Sequence, residues 1–307
     1  MDHLFVVNPA SGRENAAPAV RAAVSAYFAA RPGESREVAE TRCKGHAAAL
    51  VAERVRAGRP GDLRVYACGG DGTLSEVVSA AAGRPNVEVA CYPCGTGNDF
   101  IRIFPEYPRT ASPELLPRLI EGVSRPLDAI RLNGVYAANV CCVGLDANVG
   151  VDMLRFKRLP VVGGRMSYIS SLAVNMLKRV KMGHRVEIDG AVYGGTHLLI
   201  SAMNGQFYGG GFRPAKDSRP DDGLLDIVLV KGVSRLRIPF LIRHYAKGEL
   251  EKIASLAELV RGKRLVVESE SPGKPFALIY DGETMSAERA EIEIAPGALR
   301  FVTPRAE

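Results

Sequence analysis

The sequence of 307 residues predicts an α/β domain followed by an all-β domain. Near the N-terminus, short apolar runs alternate with helical stretches, which is the pattern of a parallel sheet with crossover helices. Glycine-rich turns follow three of these apolar runs. Beyond Ser124-Arg125-Pro126, short apolar segments follow one another with few helical stretches between them, as in an antiparallel β domain.

The first domain is expected to alternate strands of four to six residues with alanine-rich helices. Gly or Pro residues close the helices, since both residues interrupt helical backbone. In chain order, the expected elements are strand Leu4–Val7, helix Ala16–Ala30, strand Glu37–Glu40, helix Ala47–Arg56, strand Leu63–Cys68, helix Leu74–Ala82 and strand Val87–Tyr92. The carboxyl ends of such strands share one edge, which is where parallel sheets bind ligands.

The second domain is expected to consist mainly of strands joined by Gly, Asn and Pro turns. The expected strands are Leu127–Leu132, Tyr136–Val143, Arg185–Ile188, Thr196–Met203, Leu225–Val230, Arg264–Glu268 and Phe276–Tyr280, with Ala290–Ile294 and Leu299–Val302 in the tail. Two helical segments, Met166–Val180 and Pro239–Lys247, interrupt this series.

The composition and net charge indicate which classes of protein and which partners are compatible with this sequence. The chain is 47% hydrophobic, which is enough for a buried core, and it has no apolar run of about 18 residues that would predict a membrane-spanning helix. The N-terminus lacks a signal-peptide pattern, so we expect a cytoplasmic protein. A formal net charge of +6 favours anionic partners. The basic residues are scattered without an aromatic stacking platform, which argues against nucleic acid.

Two of the glycine-rich turns have the composition of phosphate-binding loops. In Asn8-Pro9-Ala10-Ser11-Gly12, small residues let backbone N–H groups approach a phosphate, although a plain strand-to-helix turn explains the motif equally well. In Gly69-Gly70-Asp71-Gly72-Thr73, a bare carboxylate would repel a phosphate unless Mg²⁺ lies between them. Thr73 is suited both to cap the next helix and to contact phosphate.

The third turn is Gly95-Thr96-Gly97-Asn98-Asp99. The side chains of Thr96 and Asn98 are suited to hydrogen-bond a nucleotide, and Asp99 is suited either to orient Mg²⁺-bound water or to hold a main-chain turn.

Two acidic turns occur later in the chain. Asp281-Gly282-Glu283 follows an apolar strand and offers a carboxylate that could accept a hydroxyl proton, while the run from Asp221 to Asp226 is compatible with an ordinary hairpin.

The three glycine-rich turns, followed near the end of the chain by Asp281-Gly282-Glu283, resemble in their order the diacylglycerol kinase catalytic family. That family includes bacterial soluble lipid kinases, sphingosine kinases and ceramide kinase. The resemblance implies an N-terminal α/β domain like that of NAD kinases and phosphofructokinases, joined to a C-terminal antiparallel β-sandwich. It also implies that the final segment returns to the first domain. The expected domains are therefore residues 1–125 with about 288–307, and residues 126–287.

The resemblance implies an ATP site, Mg²⁺ ligands and a catalytic base. ATP would be bound by Asn8, Pro9, Ala10, Ser11, Gly12, Thr41, Gly69, Gly70, Asp71, Gly72, Thr73, Ser75, Thr96 and Asn98. Mg²⁺ would be held through Asp71 by way of water, with Asp99 and Asp128 nearby, and a structural Mg²⁺ by Asp222 with the carbonyls of Arg219 and Leu224. The base would be Asp281 or Glu283; Asp71 completes the catalytic set.

The resemblance implies an ATP- and Mg²⁺-dependent lipid kinase whose expected product is phosphatidic acid, made from diacylglycerol. The alternatives are an NAD kinase-like enzyme with a soluble acceptor and a kinase for a sphingoid base, ceramide or undecaprenol. We expect peripheral contact with the inner face of the membrane and homodimers. The basic helical segments Gly163–Val180 and Leu236–Tyr245 are candidates for that contact, although helices packed on the β-sandwich would have the same pattern.

Overall fold

The computed structural model describes residues 1–12, 15–57, 62–144 and 184–306. The chain forms two compact units, Met1–Ala129 with Pro296–Glu307 and Ile130–Ala295. Two predicted segments lie outside the described residues, namely the helix Met166–Val180 and the basic segment Gly163–Val180 that contains it. No helix within the described ranges is both long enough and apolar enough to cross a membrane.

The first unit is an α/β domain, as predicted. Its elements are β1 Asp2–Val7, α1 Ala17–Phe28, β2 Arg36–Glu40, α2 His46–Arg56, β3 Leu63–Gly69, α3 Asp71–Ala81, β4 Val87–Pro93 and α4 Leu115–Ile120, with the first part of β5 Val123–Leu132 and the last part of β16 Arg289–Thr303. The parallel sheet has the order β2-β1-β3-β4-β16. Every residue of β3 and β4 is buried, as expected for central parallel strands.

The second unit is an antiparallel β-sandwich, also as predicted. Its further elements are β6 Val135–Ala137, β7 Val140–Gly144, β8 His184–Ile188, β9 Ala191–Tyr193, β10 His197–Met203, β11 Leu225–Lys231, α5 Ile238–Tyr245, β12 Ala257–Gly262, β13 Arg264–Ser269, β14 Phe276–Tyr280 and β15 Glu283–Ala287. One sheet has the order β12-β11-β10-β7-β14-β15, and the other contains β16, β13, β8 and β9 together with β5 and β6.

The six-stranded sheet of the second unit is buried on both faces. Its inner face packs against the other sheet through a cluster that includes Ile200, Leu265 and Ile292. Its outer face is covered by a second cluster that includes Ile238 and Tyr245 of α5. Double-sided burial explains why β10 and β11 are nearly continuous apolar runs instead of alternating polar and apolar residues.

Three hairpins of the second unit turn at an Asx-Gly pair with positive φ at both residues, namely Asn133-Gly134, Asp189-Gly190 and Asp281-Gly282. This backbone pattern is that of a type I′ turn, which Asn-Gly and Asp-Gly favour. The side chains of the Asx residues also bond to neighbouring strands. The carboxylate of Asp189, for example, accepts hydrogen bonds from backbone N–H groups where β13 begins.

The structure differs from the sequence prediction mainly where strands join or divide. The predicted strand Tyr136–Val143 is two strands, and the two predicted tail strands are one continuous strand, β16. The chain passes between the units inside β5 and inside β16, so no turn or linker marks these crossings. Strands β9, β12 and β15 were not predicted, because short, largely exposed strands carry little periodic signal. Helix α4 was not predicted either, because it is only six residues long and contains Pro117.

A buried ion network fastens the sheet of the first unit to α4. Arg64 on β3 pairs with Glu88 on β4, and both side chains are almost fully buried. The Arg64 guanidinium also donates to three backbone carbonyls at the end of α4, among them that of Ile120 at 2.7 Å. Arg300 on β16 pairs with the other oxygen of Glu88. One carboxylate therefore connects three adjacent strands.

We predict that Glu88→Gln lowers the free energy of unfolding by about 3–5 kcal/mol, because it leaves the buried Arg64 guanidinium without a counter-charge. Arg300→Gln is the control, since Arg300 is partly exposed and Glu88 would keep Arg64, so its expected cost is about 1 kcal/mol or less. Urea unfolding followed by circular dichroism measures both. Equal losses in the two variants would contradict the assignment.

His3 makes the stability of the first unit depend on pH. Its ring stacks on Tyr66, its Nδ1 lies 2.8 Å from the Tyr66 hydroxyl, and burial, helped by the charge of Arg64, lowers the pKa of His3 to about 4. The folded pKa is below the unfolded value, so the stabilisation is complete above pH 6.5 and is lost as pH falls from 6.5 towards 4.

We therefore predict that His3→Gln removes part of the acid sensitivity. The difference in unfolding free energy between wild type and His3→Gln should change by up to about 3 kcal/mol between pH 6.5 and 4. Urea unfolding of both proteins at several pH values measures this difference. The titration of carboxylates cancels in the difference, because both proteins contain the same carboxylates. A difference that does not vary with pH would contradict the pKa assignment.

Candidate active site

The three glycine-rich turns predicted from the sequence follow β1, β3 and β4, which are neighbours in the parallel sheet. Backbone hydrogen bonds connect the turns directly. The N–H of Asn8 donates to the carbonyl of Cys68, and the N–H groups of Cys94 and Gly95 both donate to the carbonyl of Gly69. The turns therefore meet at one edge of the sheet, as the sequence predicted.

Glycine is required where the second and third turns touch. A Cβ on Gly95 would lie 2.4 Å from the Cα of Gly70, and a Cβ on Gly97 would lie 2.3 Å from Oδ2 of Asp71. A Cβ on Gly69 would lie 2.2 Å from Oγ1 of Thr73. Real side chains do not approach this closely, so Gly95 and Gly97 permit the packing of the third turn on the second, and Gly69 leaves room for Thr73 within the second turn.

The carboxylate of Asp71 bridges the second and third turns. Its Oδ2 accepts a hydrogen bond from the N–H of Asn98 at 2.8 Å, and its Oδ1 accepts one from the N–H of Asp99 at 2.6 Å. Burial raises the pKa of Asp71, while the two backbone N–H groups and the nearby Arg102 guanidinium oppose that increase. Asp71 thus holds the shape of the third turn.

Asn98 adopts a left-handed backbone conformation, with φ of 51°, and its Nδ2 donates to the carbonyl of Gly95 at 2.9 Å. Asp99 begins a 3₁₀ turn and forms an ion pair with Arg102, whose guanidinium also donates to the carbonyl of Gly97. Sequence analysis missed Arg102. Its position three residues after Asp99 is the signal that could have indicated this pair.

The first turn is organised by Asn8. Its side-chain oxygen accepts a hydrogen bond from the N–H of Ala10, and its Nδ2 donates to the hydroxyl of Thr73 at 3.2 Å. At the end of β2, the N–H of Thr41 donates to the carbonyl of Val7, which places Thr41 beside the first turn. Pro9 is half-buried, whereas Gly12 is exposed. Asn8, Thr41 and Thr73 are thus brought together.

The N-terminus of α3 is open. Gly72 lies in its first turn, is exposed, and a Cβ there would meet no atom within 4 Å. Among the described residues, no side chain forms a capping hydrogen bond at this helix end. The N–H groups of a first helical turn have no carbonyl partner within the helix, and together with the helix dipole they make such an end a site for anions. Ser75 differs from its neighbours in the motif, because it is buried and its hydroxyl has no hydrogen-bond partner among the described residues.

The remaining predicted sites of the first unit are Thr96 and Asp128. Thr96 is exposed and lies in the third turn between Gly95 and Gly97, the two glycines that pack against the second turn. Asp128 on β5 is buried, and its Oδ1 accepts a hydrogen bond from the N–H of Gly297 at 2.9 Å. This contact connects β5 to β16, so Asp128 has a clear structural role in addition to the predicted role near the metal.

In the second unit, Asp281 and Glu283 flank a hairpin turn and differ in their surroundings. The carboxylate of Asp281 accepts hydrogen bonds from the N–H groups of three successive residues, Ala138, Asn139 and Val140, at 2.6 to 3.3 Å. It anchors the segment between β6 and β7. Glu283 is the first residue of β15, pairs with Tyr280 in the hairpin and has a half-buried side chain.

The loop that was predicted to hold a structural metal is stabilised by an arginine that sequence analysis missed. Oδ1 of Asp222 accepts a hydrogen bond from the N–H of Leu224, and Oδ2 forms an ion pair with Arg261 on β12. Arg261 also pairs with the buried Asp226. The side chain of Arg219 pairs with Asp221 instead. Arg261 therefore neutralises acidic charge that a cation would otherwise balance.

The two predicted metal sites differ in how well their residues fit a cation. In the described part of the chain, no group of three His, Cys, Asp or Glu side chains is arranged to hold a metal by itself. Asp71 fits Mg²⁺ shared with phosphate oxygens, because Mg²⁺ takes few protein ligands and each carboxylate oxygen keeps a lone pair beside the backbone N–H group that it binds. The Asp222 loop fits less well, since Arg261 already occupies its carboxylate.

Comparisons with known proteins agree with this architecture. The model of the diacylglycerol kinase catalytic domain matches residues 2–132, and that of the YegS C-terminal NAD kinase beta sandwich-like domain matches residues 139–303. A Staphylococcus aureus (strain JH9) protein named "Putative lipid kinase" is 24% identical over 243 residues, which are 78% of this chain and 76% of that protein. A relative of the same name from strain MRSA252 gives the same values.

Two solved structures from Bacillus anthracis str. Sterne share the fold. One, described as a "putative diacylglycerol kinase", has a TM-score of 0.75 at 23% identity, and the other, described as a diacylglycerol kinase, has 0.69 at 21%. Each alignment covers 98% of this chain and 96% of the other. The resemblance seen in the motifs is thus confirmed. Because the two family models together span nearly the whole chain, this protein belongs to the diacylglycerol kinase catalytic-domain family of kinases, with a YegS-like C-terminal β-sandwich.

Proposed function

We propose that this protein transfers the γ-phosphoryl group of ATP to the hydroxyl of a membrane lipid, with diacylglycerol as the acceptor and phosphatidic acid as the product. The observation that carries the proposal is the open N-terminus of α3, held between two turns that Asp71 fastens together. Backbone N–H groups at a fixed helix end, beside a carboxylate suited to Mg²⁺, match the needs of a triphosphate.

The proposed ATP site is the edge formed by the three turns. The N–H groups of α3 would bind phosphate oxygens, and Gly72 leaves space for them to approach. Asn8, Thr41, Thr73, Thr96 and Asn98 supply polar groups around this edge. Asp71 would hold Mg²⁺, with Asp99 nearby. When bound, the ion would offset the negative charge of the phosphates.

We assign proton acceptance to Glu283. In the proposed reaction, the lipid hydroxyl oxygen forms a bond to the γ-phosphorus, the bond from that phosphorus to the bridging oxygen of ADP breaks, and the hydroxyl proton passes to the carboxylate. Three backbone N–H groups already bind Asp281, which suits it to position the hairpin. Glu283 follows this anchored turn directly and is therefore the better candidate for the base.

The choice of a lipid acceptor is supported by the names of the relatives, which describe lipid and diacylglycerol kinases. A lipid acceptor also requires contact with a membrane, so we propose that the protein works peripherally at an inner membrane face. The principal test incubates the protein with radiolabelled ATP, Mg²⁺ and either total lipid extract or NAD, and identifies products by mass spectrometry. Label only in NADP would reject the lipid kinase proposal.

We predict that Gly72→Ala weakens ATP binding about tenfold or more without lowering the melting temperature. The added methyl group would lie more than 4 Å from every atom of the described residues, and alanine favours the helix, but the methyl group occupies the space proposed for phosphate. Gly97→Ala is the contrasting variant, because its Cβ would collide with Asp71 and should lower the melting temperature. Calorimetry of ATP binding and thermal unfolding test both. Unchanged ATP affinity in Gly72→Ala would contradict the proposed site.

We predict that Glu283→Gln lowers kcat about 100-fold or more while ATP affinity and stability stay near wild type, because only proton acceptance is lost. Asp281→Asn should instead lower the melting temperature, since the amide cannot accept from all three backbone N–H groups. Steady-state kinetics and thermal unfolding distinguish the two. Full turnover by Glu283→Gln would remove it as the base.

A further inference from the structure

Helix α5 packs on the β-sandwich with one face and leaves an apolar surface on the other. Ile238, Leu241 and Tyr245 are buried in the outer cluster of the second unit. Leu236, just before the helix, is 93% exposed, and Phe240 is 54% exposed. Leu236 lies in the 3₁₀ helix Arg235–Arg237, which leads directly into α5, so the two exposed apolar side chains belong to one short helical stretch. Both are among the few large apolar side chains that are exposed in the described residues.

The surroundings of this surface are cationic. Arg237, Arg243 and Lys247 are exposed around it, and the sequence from Gly232 to Gly248 contains no Asp or Glu. Glu249 follows at the end of this stretch, and its carboxylate pairs with His244 and Lys252. The ring of His244 also contacts Phe240, at 4.6 Å between centroids. We call the surface formed by Leu236, Arg237, Phe240, Arg243 and Lys247 the α5 surface. It combines two exposed apolar side chains with three exposed cations.

We propose that the α5 surface, formed by Leu236, Arg237, Phe240, Arg243 and Lys247, docks this protein on anionic lipid bilayers. Apolar side chains at the centre would enter the interfacial region, and the surrounding cations would bind lipid phosphates. The absence of acidic residues from Gly232 to Gly248 favours an anionic bilayer over a protein partner, because protein interfaces usually pair charges of both signs. The choice of a lipid bilayer as the partner of this surface rests on the proposed lipid kinase function.

The test is sedimentation of the full chain with vesicles, without nucleotide, so that a lack of kinase activity does not affect the result. Wild type should bind phosphatidylglycerol-containing vesicles better than pure phosphatidylcholine vesicles. Arg243→Gln/Lys247→Gln should lower partitioning about 25-fold, at about fivefold for each cation. Leu236→Ser/Phe240→Ser should lower it about tenfold or more, because the apolar contact is lost.

Matched controls change similar side chains elsewhere. Val192→Ser removes an apolar side chain of comparable exposure on β9, and Arg84→Gln removes an exposed cation of the first unit. Both should bind vesicles like wild type. If wild type does not bind, if binding does not depend on lipid charge, or if the α5 variants bind as well as wild type, the proposal is wrong.

Two further measurements identify other occupants of the α5 surface. A melting temperature lowered by several degrees in Leu236→Ser/Phe240→Ser would mean that this surface is covered within the chain. Dissociation of a wild-type oligomer by the same change, detected by light scattering, would mean that a second copy covers it. Either result would overturn the proposal, whereas unchanged stability and oligomeric state together with lost vesicle binding would support it.

Discussion

The hydrogen bonds from the backbone N–H groups of Asn98 and Asp99 to the carboxylate of Asp71 are the constraint on which the candidate site depends. They fix the turn after β4 against the turn after β3. The contact is possible only because Gly95 and Gly97 have no side chains at the interface. A buried carboxylate without such donors would be costly, so the turn and the acidic residue stabilise one another.

Carboxylates that accept hydrogen bonds from backbone N–H groups also stabilise turns in the second unit. Asp189 and Asp281 each occupy the first position of an Asx-Gly hairpin, and each carboxylate accepts hydrogen bonds from backbone N–H groups of an adjoining segment. Acidic residues that attract attention as possible catalytic groups are thus also structural anchors. For Asp281 this anchoring is extensive, and it gives the adjacent Glu283 a defined position at the start of β15.

Charge is distributed differently in the interior and on the surface. Inside the first unit, Glu88 balances Arg64 and Arg300 across three strands, and in the second unit Arg261 balances Asp222 and Asp226. The outside of α5 carries Arg237, Arg243 and Lys247, and the nearest acidic residue along the chain is Glu249. Ion pairs with a buried member contribute to the specificity of the fold, whereas the exposed cations of α5 give that surface a positive charge that suits an anionic partner.

The sequence by itself determined the fold class, the place of the three turns at strand ends and the family resemblance. Glycine-rich motifs and apolar runs are local signals, so they can be identified in the sequence without knowing which residues are in contact. Tertiary structure decided what the sequence left open: that Asp71 binds two backbone N–H groups, that Asp281 anchors three more, and that Arg102 and Arg261 neutralise nearby carboxylates. These partners are mostly distant in the chain, and the partner of a carboxylate depends on which segments fold against it.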